Sequence, residues 1–514
     1  MGLTIRLFSF LVLVLIAKTS FATTYYISTS GSDSNNGTSN STPWLHAPGM
    51  PGCSGNCASK SPAAGDRFIL RGGDTWHYDA NAGTKGLPWS ISASGTSGNA
   101  IYWGVDHAWW NSGICGASWC RPILNGDNPT STTAVASCKA GSATDTWMMD
   151  VTGGWVQVDD LEMLGMCWDQ TTIPYFSDYY LAMEAPNDTV SNVYLHGWTH
   201  TANASSQATG FMGNTEGYVK HYIGVVVDGQ DSDSKSLCAM CFGVYDVENS
   251  VFRYNSNIVG NGGHTIANNL FEYINEPYDS AHGNVMEWNN EAGGGQNYVY
   301  NNVVRHNTVA VTLWTCPAGN NDYYFNNVMF DNVSQMWDIA EAQAGCTTLS
   351  GSANFYNNTF VDGTVGPPPG SWNGYFRNTF WVNSGSPSPT PAAIIKTLQP
   401  TTAQASTFGY SAPTSFQPAT VDCNGNSGAT NCPVGAGDNL TSLCNAISDT
   451  AVKTACLSDG TGGPNYDAIK HRVNGNIRPA APRSTSGNWD VGAYQYGTAV
   501  AVPGTPLSLK AVAQ

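Results

Sequence analysis

The sequence is poor in charged residues, and above all in positive charge. Lys and Arg together number 20 of 514 residues, Asp and Glu number 37, and the formal net charge is −17. No basic cluster occurs, which argues against nucleic acid or an anionic membrane surface as a partner. The scarcity of charge does not indicate disorder, because 17 Trp, 24 Tyr and 17 Phe provide ample surface to bury.

Long apolar runs are missing beyond the N-terminus. Residues 7–17 are mostly apolar, follow Arg6 and precede a Ser20-Phe21-Ala22 cleavage pattern, which predicts a signal peptide over residues 1–22. No later run approaches the roughly 20 residues that a membrane span needs. We therefore expect a secreted protein, extracellular or periplasmic, that begins at Thr23 and acts as a monomer.

Helical periodicity is absent too, and short β runs alternate with Gly, Asn and Ser. Of the 47 Asn residues, 25 lie between Asn249 and Asn383, where they repeat. Six segments align on one Asn at spacings of 20, 33, 25, 31 and 20 residues. The aligned residues are Asn249, Asn269, Asn302, Asn327, Asn358 and Asn378.

This alignment predicts three columns of side chains. Because strand side chains alternate, the residues two before and two after each Asn are expected to face inward and the third after it outward. The first inward column is Val247, Ala267, Tyr300, Phe325, Tyr356 and Phe376. The second inward column is Val251, Phe271, Val304, Met329, Phe360 and Phe380. The outward column is Phe252, Glu272, Arg305, Phe330, Val361 and Trp381.

A repeat of this length predicts a stacked coil of short parallel strands. One rung cannot bury its own apolar face, whereas stacked rungs bury a continuous core and their turn Asn residues can hydrogen-bond in a ladder. The alternative is a β-sandwich, which needs frequent turns but no Asn at a fixed position.

The two ends of the chain resemble the pectate-lyase-like superfamily of secreted bacterial right-handed parallel β-helix proteins. The resemblance is carried by residues 25–37, Pro43-Trp44, residues 64–73, residues 474–478 and residues 489–496. It implies an all-β fold, a right-handed parallel β-helix over residues 23–496. We expect regular rungs over about residues 150–385, a surface excursion over about 385–435, final coils over 440–496 and a flexible tail over 497–514.

Fourteen Cys residues in an exported chain indicate disulfides. Their order favours the local pairs Cys53–Cys57, Cys115–Cys120, Cys316–Cys346, Cys423–Cys432 and Cys444–Cys456. Cys138, Cys167, Cys238 and Cys241 are left over, and for the last two a disulfide, buried thiols and a metal site stay open.

A solenoid core is filled with side chains, so a ligand must bind in an external groove. The connection after Ile274 is longer than its counterpart in the next rung and carries several polar side chains. Candidate catalytic residues are Asp279, His282, Glu287 and Arg305. Candidate glycan-binding residues are Glu272, His264, Trp288, Trp314 and Trp337.

This set predicts an enzyme that cleaves an extracellular polysaccharide as a lyase or a glycoside hydrolase. Trp rings stack on sugars, and carboxyl groups in unequal environments exchange protons. The alternatives are a non-catalytic glycan-binding or adhesive protein and, for Glu272 with Arg305, a plain ion pair. Alternating carboxylates at Asp228, Asp231 and Asp233 predict a calcium site, with a solvated turn as the alternative.

Overall fold

The computed structural model describes residues 22–79, 81, 83–139, 147–169, 179–204, 208–213, 219–241, 244–260, 265–275, 284–288, 296–308, 311–315, 321–332, 338–339, 351–362, 373–383, 393–408 and 432–496. Strands are numbered β1–β37 and helices α1–α5 in chain order. Residues 1–21 of the predicted signal peptide, the predicted tail and most of the predicted excursion lie outside the described residues.

Three parallel sheets hold 33 of the 37 described strands. Sheet 1 comprises β1 (Thr24–Ile27), β2 (Arg67–Gly72), β5 (Ile101–Trp110), β8 (Val156–Asp159), β12 (Thr189–Ser191), β16 (Val219–Ile223), β19 (Val244–Glu248), β22 (Thr265–Ala267), β25 (Tyr298–Tyr300), β28 (Asn321–Phe325), β31 (Ser352–Tyr356), β33 (Asn373–Arg377) and β35 (Ala393–Ile395). Sheet 2 comprises β3 (Thr75–His77), β6 (Ile123–Asn125), β9 (Glu162–Leu164), β13 (Tyr194–Leu195), β17 (Val226–Asp228), β20 (Val251–Arg253), β23 (Leu270–Glu272), β26 (Val303–Arg305), β29 (Val328–Phe330), β32 (Thr359–Val361) and β34 (Phe380–Val382). Sheet 3 comprises β4 (Trp89–Ile91), β7 (Trp147–Val151), β11 (Tyr179–Met183), β15 (Ala208–Gly213), β18 (Leu237–Cys241), β21 (Asn257–Gly260), β24 (Asn284–Trp288), β27 (Val311–Thr315) and β30 (Asp338–Ile339).

The remaining elements are short. β10 (Cys167–Trp168) pairs in parallel with β14 (Thr199–His200), and β36 (Pro464–Asp467) pairs antiparallel with β37 (Arg472–Asn476). The helices are α1 (Gly55–Ser59), α2 (Ser112–Cys115), α3 (Thr402–Thr407), α4 (Thr441–Asn445) and α5 (Thr450–Cys456). Within the described ranges, no helix has the length and apolar character required to cross a bilayer.

The chain passes from sheet 1 to sheet 2 to sheet 3 and then returns to sheet 1 one rung further on. For example, β22, β23 and β24 form one turn, and β25, β26 and β27 form the next turn in parallel register. This topology confirms the predicted all-β parallel β-helix. The regular rungs extend beyond the predicted range of about 150–385, because the strands of sheet 1 begin at Thr24 and continue to Ile395.

One buried file of side chains runs along the inner face of sheet 2. Its members, in register order, are Leu195, Val227, Phe252, Phe271, Val304, Met329, Phe360 and Trp381. The second predicted inward column is confirmed for its middle four positions and wrong at both ends. Val251 pairs with Leu270 and Phe380 pairs with Thr359, so both belong to the outer face.

The outward column has the same end errors. Glu272 pairs with Arg305 and Arg305 with Phe330, as predicted, whereas Phe252 and Trp381 lie in the core. The cause is that the turn between sheets 1 and 2 uses two consecutive residues. The first has a left-handed backbone, and the side chain of the second takes part in the hydrogen-bonded ladder. Asn249 and Asn378 are first residues, with φ of 52° and 53°.

The Asn ladder itself is confirmed. Asn269, Asn302, Asn327 and Asn358 are fully buried, and each accepts hydrogen bonds from the preceding rung or donates to the following one. The Asn302 side chain donates to Ile266 O (2.8 Å) and Asn327 Oδ1 (3.0 Å). Ser250 takes the equivalent place one rung before, where its backbone N–H donates to Asn269 Oδ1.

The first predicted inward column is wrong for its four central members. Ala267, Tyr300, Phe325 and Tyr356 cluster with Leu440, Cys444 and Val452 of the C-terminal region, so they face out of the coil. Val247 and Phe376 do lie in the core. Sequence periodicity cannot separate these cases, because an outer face covered by another segment is as apolar as an inner one.

Residues 432–496 form a C-terminal strap instead of the predicted final coils. The strap runs back along the outside of the corner between sheets 1 and 2, turns in the β36–β37 hairpin and returns. It bonds to successive rungs through the pairs Asn378–Asp438, Asn326–Ser458, Asn268–Thr461, Asp228–Tyr466 and Arg121–Lys470.

Four disulfides join described residues. Cys53–Cys57, Cys115–Cys120 and Cys444–Cys456 confirm the predicted local pairs. Cys138 and Cys167, for which no partner was predicted, form a fourth. Cys238 and Cys432 are also disulfide-bonded; Cys316, Cys346 and Cys423 lie outside the described residues.

Candidate active site

A row of register neighbours runs along sheet 3. Asp150 pairs with Ala182, and further along the same sheet Glu287 pairs with Trp314 and Trp314 with Asp338. Met149 and Leu181, which precede Asp150 and Ala182, are fully buried in the core. Because strand side chains alternate, Asp150 lies on the outer face of sheet 3.

Two carboxyl groups lie on neighbouring rungs at the start of this row. Asp150 is half-buried in β7, and Glu184 follows β11 on the next rung, where its backbone N–H donates to Val151 O at 2.8 Å. Burial, together with the negative charge of Glu184, raises the pKa of Asp150 from 3.8 to about 6. The pair therefore combines a carboxyl that holds its proton close to neutrality with a second acidic group beside it.

Aromatic side chains adjoin the acidic pair. The rings of Trp147 and Tyr179 stack with centroids 6.2 Å apart and an interplanar angle of 14°. Burial and the charges of Asp150 and Glu184 raise the pKa of the Tyr179 hydroxyl, so it stays protonated. We call Trp147, Asp150, Tyr179 and Glu184 the sheet 3 acidic site.

Two polar atoms of this site are buried without a hydrogen-bond partner. They are Asp150 Oδ1 and Trp147 Nε1, both within the described part of the chain. Leaving a polar group buried and unpaired typically costs about 1–3 kcal/mol, so such groups need an explanation. A ligand hydroxyl would satisfy either atom only after neighbouring side chains move aside, because neither atom is exposed.

Three predicted site residues lie further along sheet 3. Glu287 and Trp288 are in β24 and Trp314 is in β27, so the backbone brings Glu287 and Trp314 side by side in register. Asp279, His282, His264 and Trp337 lie outside the described residues.

The other two predicted residues belong to sheet 2. Arg305 Nε donates to Glu272 Oε2 at 2.8 Å, which confirms that the two are neighbours. Glu272 is 4% exposed and also pairs with Arg253 at 3.2 Å, and Arg253 approaches Asp228 at 3.5 Å. The structure thus places Glu272 and Arg305 in a charge ladder beside the strap, on a different sheet from Glu287.

The predicted calcium residues are not brought together. Asp228 faces Arg253 and accepts from Tyr466, Asp231 pairs with His196, and Asp233 approaches His200. Among the described residues, which include all three carboxylates, no group of three or more His, Cys, Asp or Glu could hold a metal ion. Each carboxylate has a different protein partner, so the predicted calcium site does not form here.

His196, at the end of β13, bridges two carboxylates. Its Nδ1 lies 2.9 Å from Asp231 Oδ2 and its Nε2 lies 3.2 Å from Glu162 Oε1. Burial lowers the pKa of His196, but the hydrogen bonds to Asp231 and Glu162 outweigh it and raise the pKa to about 9. The imidazolium therefore persists at neutral pH and ties three rungs of sheet 2 together.

We expect His196→Gln to remove this stabilisation in a pH-dependent way. The folded pKa lies above the unfolded 6.5, so the contribution is fully present below pH 6.5 and is lost as pH rises through about 9. The variant should lose roughly 3 kcal/mol of unfolding free energy at about pH 6 and little at about pH 10. Urea titrations across this range test the expectation, and a loss independent of pH would contradict it.

Comparison with known proteins gives matches in structure only. No family model matches the chain, and no curated protein sequence matches it. Among solved structures it is similar to a rhamnogalacturonan lyase, with 15% identity and a TM-score of 0.41 over 73% of this chain and 85% of that one. It is also similar to pectate lyase Pel9A, with 15% identity and a TM-score of 0.44 over 92% and 96%. A GH136 lacto-N-biosidase from Eubacterium ramulus matches with 11% identity and a TM-score of 0.36 over 74% and 67%.

Proposed function

We propose that this protein is an exported enzyme that cleaves a polysaccharide bound along the outer face of sheet 3. The observation that carries the proposal is the Asp150–Glu184 pair, in which one carboxyl has a pKa of about 6 and an unpaired buried oxygen. Perturbed carboxyl groups beside aromatic rings on an open face are typical of sites that act on glycans.

The pair supports hydrolysis of a glycosidic bond. Asp150, protonated in a useful fraction near neutral pH, donates its proton to the leaving oxygen, and Glu184 acts as base or nucleophile. Trp147 offers a ring face for stacking against a sugar. Elimination from a uronide needs the same kind of proton transfer, and its unsaturated product distinguishes it from hydrolysis.

The row beyond this pair extends the proposed groove. Glu287 lies five strands from Asp150 on sheet 3, or about 24 Å at the usual spacing of ~4.8 Å. The two carboxylates therefore cannot act on one bond, and we assign glycan contacts to Glu287 and its register neighbour Trp314, while the glycan contact of Trp288 remains a prediction. Proton transfer by Asp279 and His282, charge stabilisation by Arg305, and glycan contacts of Glu272, His264 and Trp337 remain predictions.

Export is part of the proposal. The predicted signal peptide implies it, and the disulfides support it because structural disulfides persist mainly in oxidising compartments.

A polysaccharide panel tests the function. The mature protein is incubated with neutral and uronate-bearing glycans, with and without a chelator, and new reducing ends and unsaturated products are measured. We expect new reducing ends from at least one glycan, with no effect of the chelator on an Asp150–Glu184 mechanism. Unsaturated products identify a lyase. Binding of a glycan without any cleavage would overturn the enzyme proposal in favour of the glycan-binding alternative.

The Glu287→Gln variant tests whether Glu287 contacts the glycan or takes part in the chemistry. If Glu287 only contacts the glycan, this variant should raise KM for a long chain and leave kcat within about twofold, since uniform binding is lost. A loss of kcat comparable to that of an Asp150 variant would move the chemistry to the β24 end of the row.

A further inference from the structure

A second cleft lies on sheet 1, on a different face of the coil from the sheet 3 acidic site. Its volume is about 680 Å³, within the range of small-ligand sites, and its wall includes Ala22, the last residue of the predicted signal peptide. Its floor is one register row that crosses five neighbouring strands, β2, β5, β8, β12 and β16. The row consists of Arg67, Tyr102, Gln157, Thr189 and His221.

The charge of this cleft is opposite to that of the protein. Arg67 lies at one end of the floor and His221 at the other, and none of the described residues that line the cleft is Asp or Glu. The Arg67 guanidinium lies 4.1 Å over the Tyr102 ring, an arrangement that leaves its N–H edge available to a carboxylate. His221 pairs at 3.1 Å with Asp246, its register neighbour on β19 and the next residue of the same row, and this hydrogen bond raises the pKa of His221.

An aromatic residue stands on the wall of the cleft in an unfavourable conformation. Trp155 has a φ of 57°, in the left-handed region that bulky residues rarely adopt. Asn187, the equivalent residue one rung on, has a φ of 63°, and Asn tolerates this region far better. The Trp155 side chain is partly exposed and lies outside the buried core cluster, so core packing does not account for it.

We infer that this cleft binds a uronate-bearing oligosaccharide, with carboxylates on Arg67 and His221 and a sugar ring on Trp155. A glycan extended along the coil axis would lie over the amide and hydroxyl groups of Gln157 and Thr189 between the two cations. The ends of the floor are four strand spacings apart, about 19 Å, which suits several linked sugars rather than a single one. The site adds a second glycan contact remote from the proposed chemistry, and an acidic glycan is the class that it selects.

Binding of defined uronides tests the inference. Calorimetric titration uses the mature protein with α-1,4-linked tetragalacturonate, β-1,4-linked tetramannuronate and the methyl ester of each. We expect at least one acid to bind and its neutral ester to bind about tenfold more weakly, since charge-assisted hydrogen bonds are lost. Failure of both acids to bind, or equal binding of the ester, would overturn the inference.

Variants locate the site. Arg67→Gln and Trp155→Asn should each raise the Kd for the acid about tenfold or more, whereas Lys470→Gln, an exposed charge on the strap, should not change it. Trp155→Asn should also melt at or above the wild-type temperature, because Asn relieves the strained turn, which separates lost binding from lost folding. Binding unchanged in both cleft variants would place the uronide elsewhere and refute the cleft.

The outcome is independent of the proposed enzyme activity. If the protein cleaves nothing, the titrations still decide whether the cleft binds a uronide.

Discussion

Replacing Asp150 by asparagine is expected to lower the kcat for glycan cleavage by roughly 10²–10⁴-fold, the usual contribution of a positioned acid or base. Asparagine keeps the size of the side chain but has no proton to donate at neutral pH. Glu184→Gln should have a comparable effect, and the double variant should lose little more than either single one, because the two groups act as a unit. Initial rates on the glycan identified by the panel measure all three.

A stability measurement distinguishes the loss of a catalytic group from misfolding of the Asp150→Asn variant. Since burial and Glu184 raise the pKa of Asp150 from 3.8 to about 6, the folded state binds this proton more readily than the unfolded state. The contribution of Asp150 to stability therefore falls as pH rises from about 4 to about 6, and Asp150→Asn removes this part of the pH dependence. The variant should melt above the wild type at neutral pH and equal it near pH 4; a variant that melts lower and retains activity would remove Asp150 from the mechanism.

The Asn ladder gives the second large effect. Asn302 accepts from Asn269 N and Nδ2 and donates to Ile266 O and Asn327 Oδ1, all in the buried turn. Asn302→Gly strips four hydrogen bonds from the interior and leaves their partners unpaired. We expect a loss of roughly 3–5 kcal/mol in unfolding free energy, measured by urea titration.

The neighbouring residue provides a matched control. Asn301 precedes Asn302 and has a φ of 58°, a conformation that glycine adopts without strain. Asn301→Gly introduces the same residue one position earlier and should cost less than about 1 kcal/mol. Equal losses in the two variants would show that backbone flexibility, and not the ladder, sets the stability of this turn.

The sequence predicts the coil because stacking imposes a period on it. The middle four repeats each carry two Asn residues in succession, and their register is correct. At Asn249 and Asn378 a single Asn occupies the left-handed position, and Ser250 and Thr379 take the ladder position. An alignment on Asn alone therefore shifts by one residue there, and a shift of one exchanges the inner and outer faces of a strand.

The strap and the sheet 3 acidic site could not be predicted from the sequence, for two different physical reasons. The strap follows no period, since its partners are set by the surface that it covers. Asp150 and Glu184 are single carboxylates in rungs that precede the Asn-rich repeat, so no aligned column reveals that they are neighbours. Their raised proton affinity arises from burial, which depends on the assembled face of sheet 3.

The strap also has a consequence for how the molecule is made. In a solenoid each rung depends mainly on its neighbours, so the coil can grow rung by rung as the chain emerges. The strap instead joins residues as distant as Arg121 and Lys470, which are 349 of 514 positions apart, and so closes a loop of about two thirds of the chain. Such non-local closure is entropically slow and comes after local stacking. The corner between sheets 1 and 2 therefore stays uncovered until residues 432–496 have been synthesised and can pack against it.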